Sequence, residues 1–381
     1  MTGREKIEAA FSPQGTPEIA AVICYESIFF RDHYAQLTRQ PWWAQHSGDL
    51  DMHLAMHRDF IRSIGQDWYR LPLGPSRYER ENIGIEERAD GVYRVDRRTG
   101  VARRLQPRAV SGWDGRRLHS PNPAQPPRTR AEIDARHPLP TRGDIEQPFQ
   151  NGATDLTRIL LESDLRDIFP HGNTSSPLWS GCYGLWSFEE MMCKFVEEPD
   201  LIHYACQRRL QRLLPYIEQQ ARLGARALWI EECMTDMISP AAYREFNLPY
   251  LRQIIGAIRE AGMYSIYYYC GDPSDRLDLI LASGADAIAL EESKKGWRVD
   301  IEEVVDFVRG RTVLLGNLDA IHLLECGSEE QLCAEIKRQI AAGRRNRSRF
   351  IMSVGSPITP GTSVERVRRY CEMVHELGGG R

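Results

Sequence analysis

From about residue 220 to the C-terminus the sequence repeats one unit. Each repeat is a short apolar run, a loop bearing Gly, Asp or Pro, and then a segment with helical apolar spacing. Ala225–Glu232, Met263–Cys270, Asp286–Glu291, Thr312–Gly316 and Arg349–Val354 read as strands. Pro240–Ala261, Pro273–Ser283, Ile301–Arg309, Glu329–Ala342 and Val364–Leu377 read as helices, the first with Ser239 as N-cap and Pro240 in its first turn, the last ended by Gly378–Gly380. A helix between every two strands carries the chain back across the sheet. Five such units in roughly 150 residues therefore imply parallel strands with helices packed outside.

The first half is less regular. Ala20–Tyr25 reads as a first strand ending at Cys24, Tyr25 and Glu26, and Asp67–Leu73 as a second. Residues 91–105 read as a hairpin turning near Arg98–Gly100, and 106–143, rich in Pro and Arg, as a surface excursion. Residues 172–192 carry the Gly and aromatic content of a pocket-forming loop before a helix. The 381 residues suffice for one large unit. The expectation is a single α/β domain over 1–381, a (β/α)₈ barrel, with an insertion at 86–143 in its N-terminal half.

Composition excludes several classes. A net charge of −4 gives no basic surface for nucleic acid. No apolar run approaches the roughly 18 residues of a membrane span, and the N-terminus lacks a signal-peptide core. Nine cysteines without framework spacing suit a reducing cytoplasm. No GxGxxG or GxxxxGK[ST] loop is present, which counts against a nucleotide cofactor. A cytoplasmic enzyme acting on a small molecule is the expectation.

In a parallel barrel the chemistry sits where strands end. Cys270 closes the run Tyr267-Tyr268-Tyr269 and is followed by Gly271, a position suited to a thiolate ligand, a nucleophile or a buried small side chain. Glu231-Glu232 and Glu291-Glu292 end two further strands. Alternation turns one member of each pair inward and the other toward the helices. Asn317 and Asp319 follow a fourth strand, where Asp319 also suits a helix cap. Ser356 follows a fifth. His33, His171 and His322 stand isolated. The tyrosines, with Trp68, Trp179, Trp186 and Trp229, suit either a flat substrate or an aromatic core.

The segments ISPAAYREFNLPYLRQIIGAIREAG (238–262), YYYCG (267–271), GADAIALEES (284–293), LLGNLDAIHLLECGSEEQL (314–332) and FIMSVGSPITPGTSVERVRRY (350–370) resemble the uroporphyrinogen decarboxylase-like superfamily. The resemblance covers 180–380 well and the N-terminal third loosely. It implies the barrel and a cleft at its C-terminal face. Two activities share that scaffold. The decarboxylases carry an Arg-rich N-terminal signature and a His in the last strand-end loop, whereas this chain has AAVICYESIFF and Ser356. The corrinoid-dependent methyltransferases hold zinc with His-x-Cys and a further Cys, at positions occupied here by Tyr268, Cys270 and Ser356. A distant relative, cobalamin-independent methionine synthase, adds a Glu for which Glu291 is the counterpart.

The resemblance thus implies a methyltransferase moving a methyl group between a small substrate (a methoxylated or methylated compound, or a folate) and a separate corrinoid protein. Cobalamin would sit on that partner, and zinc, if held, on Cys270 and Glu291. Cys270, Glu291, Glu232 and Tyr268 are expected at the reacting centre. Glu231, Glu292, Asn317, Asp319, Ser356, Tyr25, Asp67 and Trp68 are expected against the substrate. Relatives form dimers, so a homodimer is the expected assembly. A decarboxylase is the alternative, with Arg31, Arg58 and Arg70 as its carboxylate-binding candidates. A non-catalytic small-molecule binder is the third reading.

Overall fold

The computed structural model describes residues 1–107, 110, 125–293 and 296–379. Among the described residues eleven strands form two sheets. The larger contains β1 (Ala21–Val22), β2 (Trp68–Arg70), β6 (Phe169–Ser175), β7 (Ala227–Glu232), β8 (Tyr264–Tyr269), β9 (Ala287–Leu290), β10 (Val313–Leu315) and β11 (Phe350–Ser353). Its order is β1-β11-β10-β9-β8-β7-β6-β2, and every pairing within it is parallel. The smaller is antiparallel, with β3 (Ile83–Arg88), β4 (Gly91–Asp96) and β5 (Ala102–Arg104) in sequence order.

The large sheet is a (β/α)₈ barrel closed everywhere but at one seam. Between β1 and β2 a single backbone bond, Asp67 N–H to Ala21 O at 2.8 Å, is supplemented by side chains. Asp67 Oδ2 accepts from Ala21 N–H at 2.7 Å, and Gln66 Oε1 from Ile23 N–H at 3.2 Å. Two cores follow from strand alternation. Inside the barrel lie Trp68, Phe169, Trp229, Ile266, Tyr268 and their neighbours; Ile230, Tyr267, Tyr269 and Leu290 face the helices. Among the described residues no helix is long and apolar enough to cross a membrane.

The structure departs from the sequence expectations in three places. Residues 169–175 form β6, whose last four residues fall in the stretch 172–192 expected to be a loop, although the strand includes Pro170, Gly172 and four polar side chains. The helix expected over 240–261 is broken into a first turn, a π-helical turn at Tyr243–Asn247 and Leu248–Glu260. Pro249, which has no N–H to donate to the preceding turn, lies just after the bulge. The hairpin is present as β4 and β5, with β3 added on its other side. In the Pro- and Arg-rich stretch, 108–109 and 111–124 lie outside the described residues. Arg130–Arg136 and Arg142–Gln150 are helices, and they pack on the long helix Pro199–Leu223 rather than standing off as an excursion. Arg208 donates to His137 O at 2.9 Å, and Arg222 pairs with Glu146 at 2.8 Å.

Candidate active site

The floor of the barrel mouth is aromatic. Trp229 stacks on Tyr268 with ring centroids 4.8 Å apart, and Trp68 and Tyr25 meet this pair edge-on at 5.7 and 5.4 Å. Tyr268 is fixed by its hydroxyl, which donates to Gly355 O at 2.9 Å across the barrel. Trp68 is likewise held by its indole N–H on Ile23 O at 3.1 Å. Tyr25 sits in the left-handed region at φ 54°, a conformation costing a non-glycine residue roughly 1 kcal/mol. Its phenol lies beside Glu231.

Above the floor stand two thiols and two carboxyls. Cys233 and Cys270 leave β7 and β8 one residue beyond the register pair Glu232–Tyr269. Cys270 lies beside Cys233 and Glu291. Those two contacts, with burial, push the Cys270 thiol far above its ordinary value, so it remains protonated. Gly271 lets the chain turn away immediately after it: at φ 129°, a Cβ there would lie 2.4 Å from Asp236 Cγ. Burial raises the Glu231 carboxyl, partly offset by the nearby Tyr25 hydroxyl and the charge of Arg70.

Glu232 is in a different place from the one expected. Alternation sends Glu231 toward the barrel axis and Glu232 behind the sheet, where it is wholly buried. Ser176 Oγ donates to its Oε1 at 2.5 Å and Asn247 Nδ2 to its Oε2 at 2.8 Å; the Tyr267 hydroxyl lies 3.4 Å away. Burial lifts this carboxyl to about 7. The π turn is what brings Asn247 under it. Glu231, not Glu232, faces the mouth.

Four further expected contacts serve the scaffold. Asp67 lies at the seam, where it also accepts from His375 Nε2 at 2.7 Å, because as the residue before β2 it sits at the wrong end of the strand. Asp319 caps the turn Ala320–Glu325 through the N–H groups of Ile321 and His322. Asn317 is buried, donating to Glu291 O at 3.2 Å and Val299 O at 3.1 Å. Ser356 donates to Glu292 at 2.6 Å, which ties the loops after β9 and β11 together. Gly355 permits that approach, since a Cβ there would lie 2.5 Å from Glu292 N and Oε2.

Two residues of the mouth, Cys233 and Asn173, were not named from the sequence, and a third, His171, was read as isolated. Cys233 offered only its place after the Glu pair. Asn173, inward on β6 and paired in register with Trp229, has a buried Oδ1 without a hydrogen-bond partner among the described residues. His171, taken for an isolated side chain, is bound to Glu26 at 2.6 Å. Glu26 in turn accepts from Gln66 Nε2 at 2.6 Å and from Arg70 N–H at 3.1 Å.

A zinc ion would need three or four converging donors. The Tyr268 and Ser356 oxygens are committed to Gly355 and Glu292, and among the described residues no three His, Cys, Asp or Glu side chains converge as a metal-holding set. Cys270 has both Cys233 and Glu291 as neighbours, but the described side chains do not draw together closely enough to make a zinc site.

Comparison with known proteins places this mouth in context. A family model described as uroporphyrinogen decarboxylase (URO-D) matches residues 116–377. The uroporphyrinogen decarboxylase of Anaeromyxobacter sp. (strain Fw109-5) is 28% identical over 270 residues, 69% of this chain and 73% of that protein. That of Thermodesulfovibrio yellowstonii is 25% identical over 180 residues, 47% of this chain and 50% of its own length. Among solved structures, a methyltransferase from Methanosarcina mazei superposes with a TM-score of 0.66 over 99% of both chains at 16% identity, a likeness of fold.

Proposed function

Because this chain belongs to the uroporphyrinogen decarboxylase family, we propose that it is an enzyme of that scaffold that moves a methyl group between a small substrate and a separate corrinoid protein docked over the barrel mouth. The observation that carries the reading is the make-up of the mouth: a protonated Cys270 thiol and two carboxyls on an aromatic floor, with one cation that has no ion pair among the described residues. A polycarboxylate would need several cations. Of the three arginines considered for that task, Arg31 is bound to Asp32 at 2.8 Å and Arg58 to Asp164 at 2.8 Å. Arg70 alone stands at the mouth without an ion pair to a described residue. The Methanosarcina mazei protein, named a methyltransferase, lends the direction of the reading, not its proof.

When methyl leaves an ether or amine, the carbon–heteroatom bond breaks and the heteroatom keeps the electron pair. The corrinoid of the partner supplies the pair that accepts the methyl group. This chain's task is then to protonate the leaving heteroatom. Glu231, whose carboxyl burial raises above its ordinary value and which is half-open to solvent, is the general acid, with Tyr25 orienting it. Trp229, Tyr268 and Tyr25 hold the substrate flat, and Asn173 offers a polar contact. Cys270 and Glu291 form the opposite wall.

The test is methyl transfer to free cob(I)alamin from a panel of methyl ethers and methylamines, followed by the cobalamin absorbance change. Turnover that falls at least 100-fold in Glu231→Gln supports the reading. Decarboxylation is the second reading, favoured by the names of the curated relatives. Release of CO₂ from uroporphyrinogen without methyl transfer would put it first.

A further inference from the structure

Beside the mouth, behind β1 and β2, lies a half-open cavity of about 400 Å³. It is roofed by the helices Glu26–Asp32, Leu50–Ile64 and Pro199–Leu223. Its volume is within the range of small-molecule sites. Phe30, Phe60, Tyr69, Tyr216 and His57 supply five rings to its wall. The inner end is uncharged: His57 Nδ1 is bonded to the Tyr69 hydroxyl at 2.7 Å, and burial drives that imidazole down to about 3. Burial likewise raises the phenols of Tyr69 and Tyr216.

Two charged side chains reach this cavity, and they differ. Glu26 is fully engaged by His171, Gln66 and the Arg70 N–H. The Arg70 guanidinium has no hydrogen bond or ion pair to a described residue. Its position links the two spaces, because its charge draws down the carboxyl of Glu231 at the mouth and the phenol of Tyr216 in the cavity. An exposed cation at the junction of an aromatic pocket and a reaction centre is placed to grip an anion whose apolar part enters the pocket.

We propose that this cavity is the anchoring pocket for the substrate: it takes the ring-bearing arm of a carboxylate whose anionic group pairs with Arg70, leaving the methylated heteroatom over the Trp229–Tyr268 floor. The substrate class is then an aryl-bearing carboxylate, larger than a simple methyl alcohol or methylamine. The assignment of a methylated heteroatom rests on the function proposed above; the pocket and its anion grip do not.

Binding separates the two. The probes are 3-phenylpropanoate and its uncharged counterpart 3-phenylpropan-1-ol, titrated calorimetrically into the full chain, Arg70→Met and Ser27→Trp. Ser27 is an exposed residue at the rim, so its replacement narrows the entrance without disturbing the core. The acid should bind at least about tenfold more tightly than the alcohol, equivalent to about 1.4 kcal/mol. Arg70→Met should erase that preference, and Ser27→Trp should weaken both ligands. Absence of binding, or a preference unchanged in Arg70→Met, overturns the proposal. Acid binding that behaves as expected, in a protein that transfers no methyl group from any aryl-bearing methyl ether carboxylate, upholds the pocket and removes the methyl-transfer reading.

Discussion

Cys233 and Cys270 stand side by side at the ends of adjacent strands, and the nearness of the Cys233 thiol helps keep Cys270 protonated. Nine free cysteines are present in the described structure, and Cys193 and Cys326 are exposed. Because the thiolate is the reactive form, Cys193 and Cys326 should react with an aromatic disulfide reagent at pH 7.5 well before Cys270. Peptide mapping of the labelled sites checks this. Rapid labelling at Cys270 would show a thiolate in the mouth and remove the protonated cluster from which the mechanism is built.

Glu231 as a general acid has a pH signature. It must be protonated to act, so turnover should fall as pH rises through its raised titration point. In Glu231→Gln that dependence should vanish along with roughly 10²- to 10⁴-fold of the rate. The profile of kcat against pH for the two proteins is the measurement.

Glu232 predicts a stability effect of a different kind. Its folded value of about 7 lies above the ordinary carboxyl value, so the folded state binds more protons between those two points. Stability therefore falls as pH rises from about 4.5 to about 7 and changes no further above that, a loss of up to about 3 kcal/mol. Glu232→Gln should abolish the slope and raise stability at pH 8. Asn247 has a buried Oδ1 free of other partners, so by turning its amide it can accept from the new side-chain NH₂. Urea unfolding at pH 5 and pH 8 tests both statements.

Gly355→Ala should destabilise the protein by about 1–3 kcal/mol. The added methyl would displace the Glu292 backbone and carboxylate, parting them from Ser356. Thermal unfolding of Gly355→Ala beside Ser356→Ala shows whether the loss comes from the close approach or from the hydroxyl. The close approach predicts the larger loss in Gly355→Ala.

The second half of the barrel was legible because its strands are apolar and its helices regular. Met263–Cys270 and Asp286–Glu291 came within a residue or so of β8 and β9. β6 was hidden because its inward side chains, His171 and Asn173, are polar where a buried strand is usually apolar, and its outward Gly172 leaves room for Gln220. Period-two reasoning foretold that one Glu of each pair faces inward. It could not say which, because the phase depends on where each strand begins, and Glu231 proved the inward member. Asp67 shows the same limit: a residue just before a strand belongs to the opposite end from one just after it. Cys233 was missed because a single cysteine beyond a Glu pair carries no spacing signal. Only the register of β7 on β8 brings it to Cys270.

The seam between β1 and β2 has a consequence for how the molecule breathes. Everywhere else, opening the cylinder means tearing a ladder of backbone bonds. Here the latch is one backbone bond and the side chains of Gln66, Asp67 and Trp68, with Asp67 held from outside by His375 in the C-terminal helix. Low-energy excursions gather where few bonds must break together. The first strand and the helix Val364–Gly378 thus meet over the point where the barrel parts most readily, and that helix serves as the clasp.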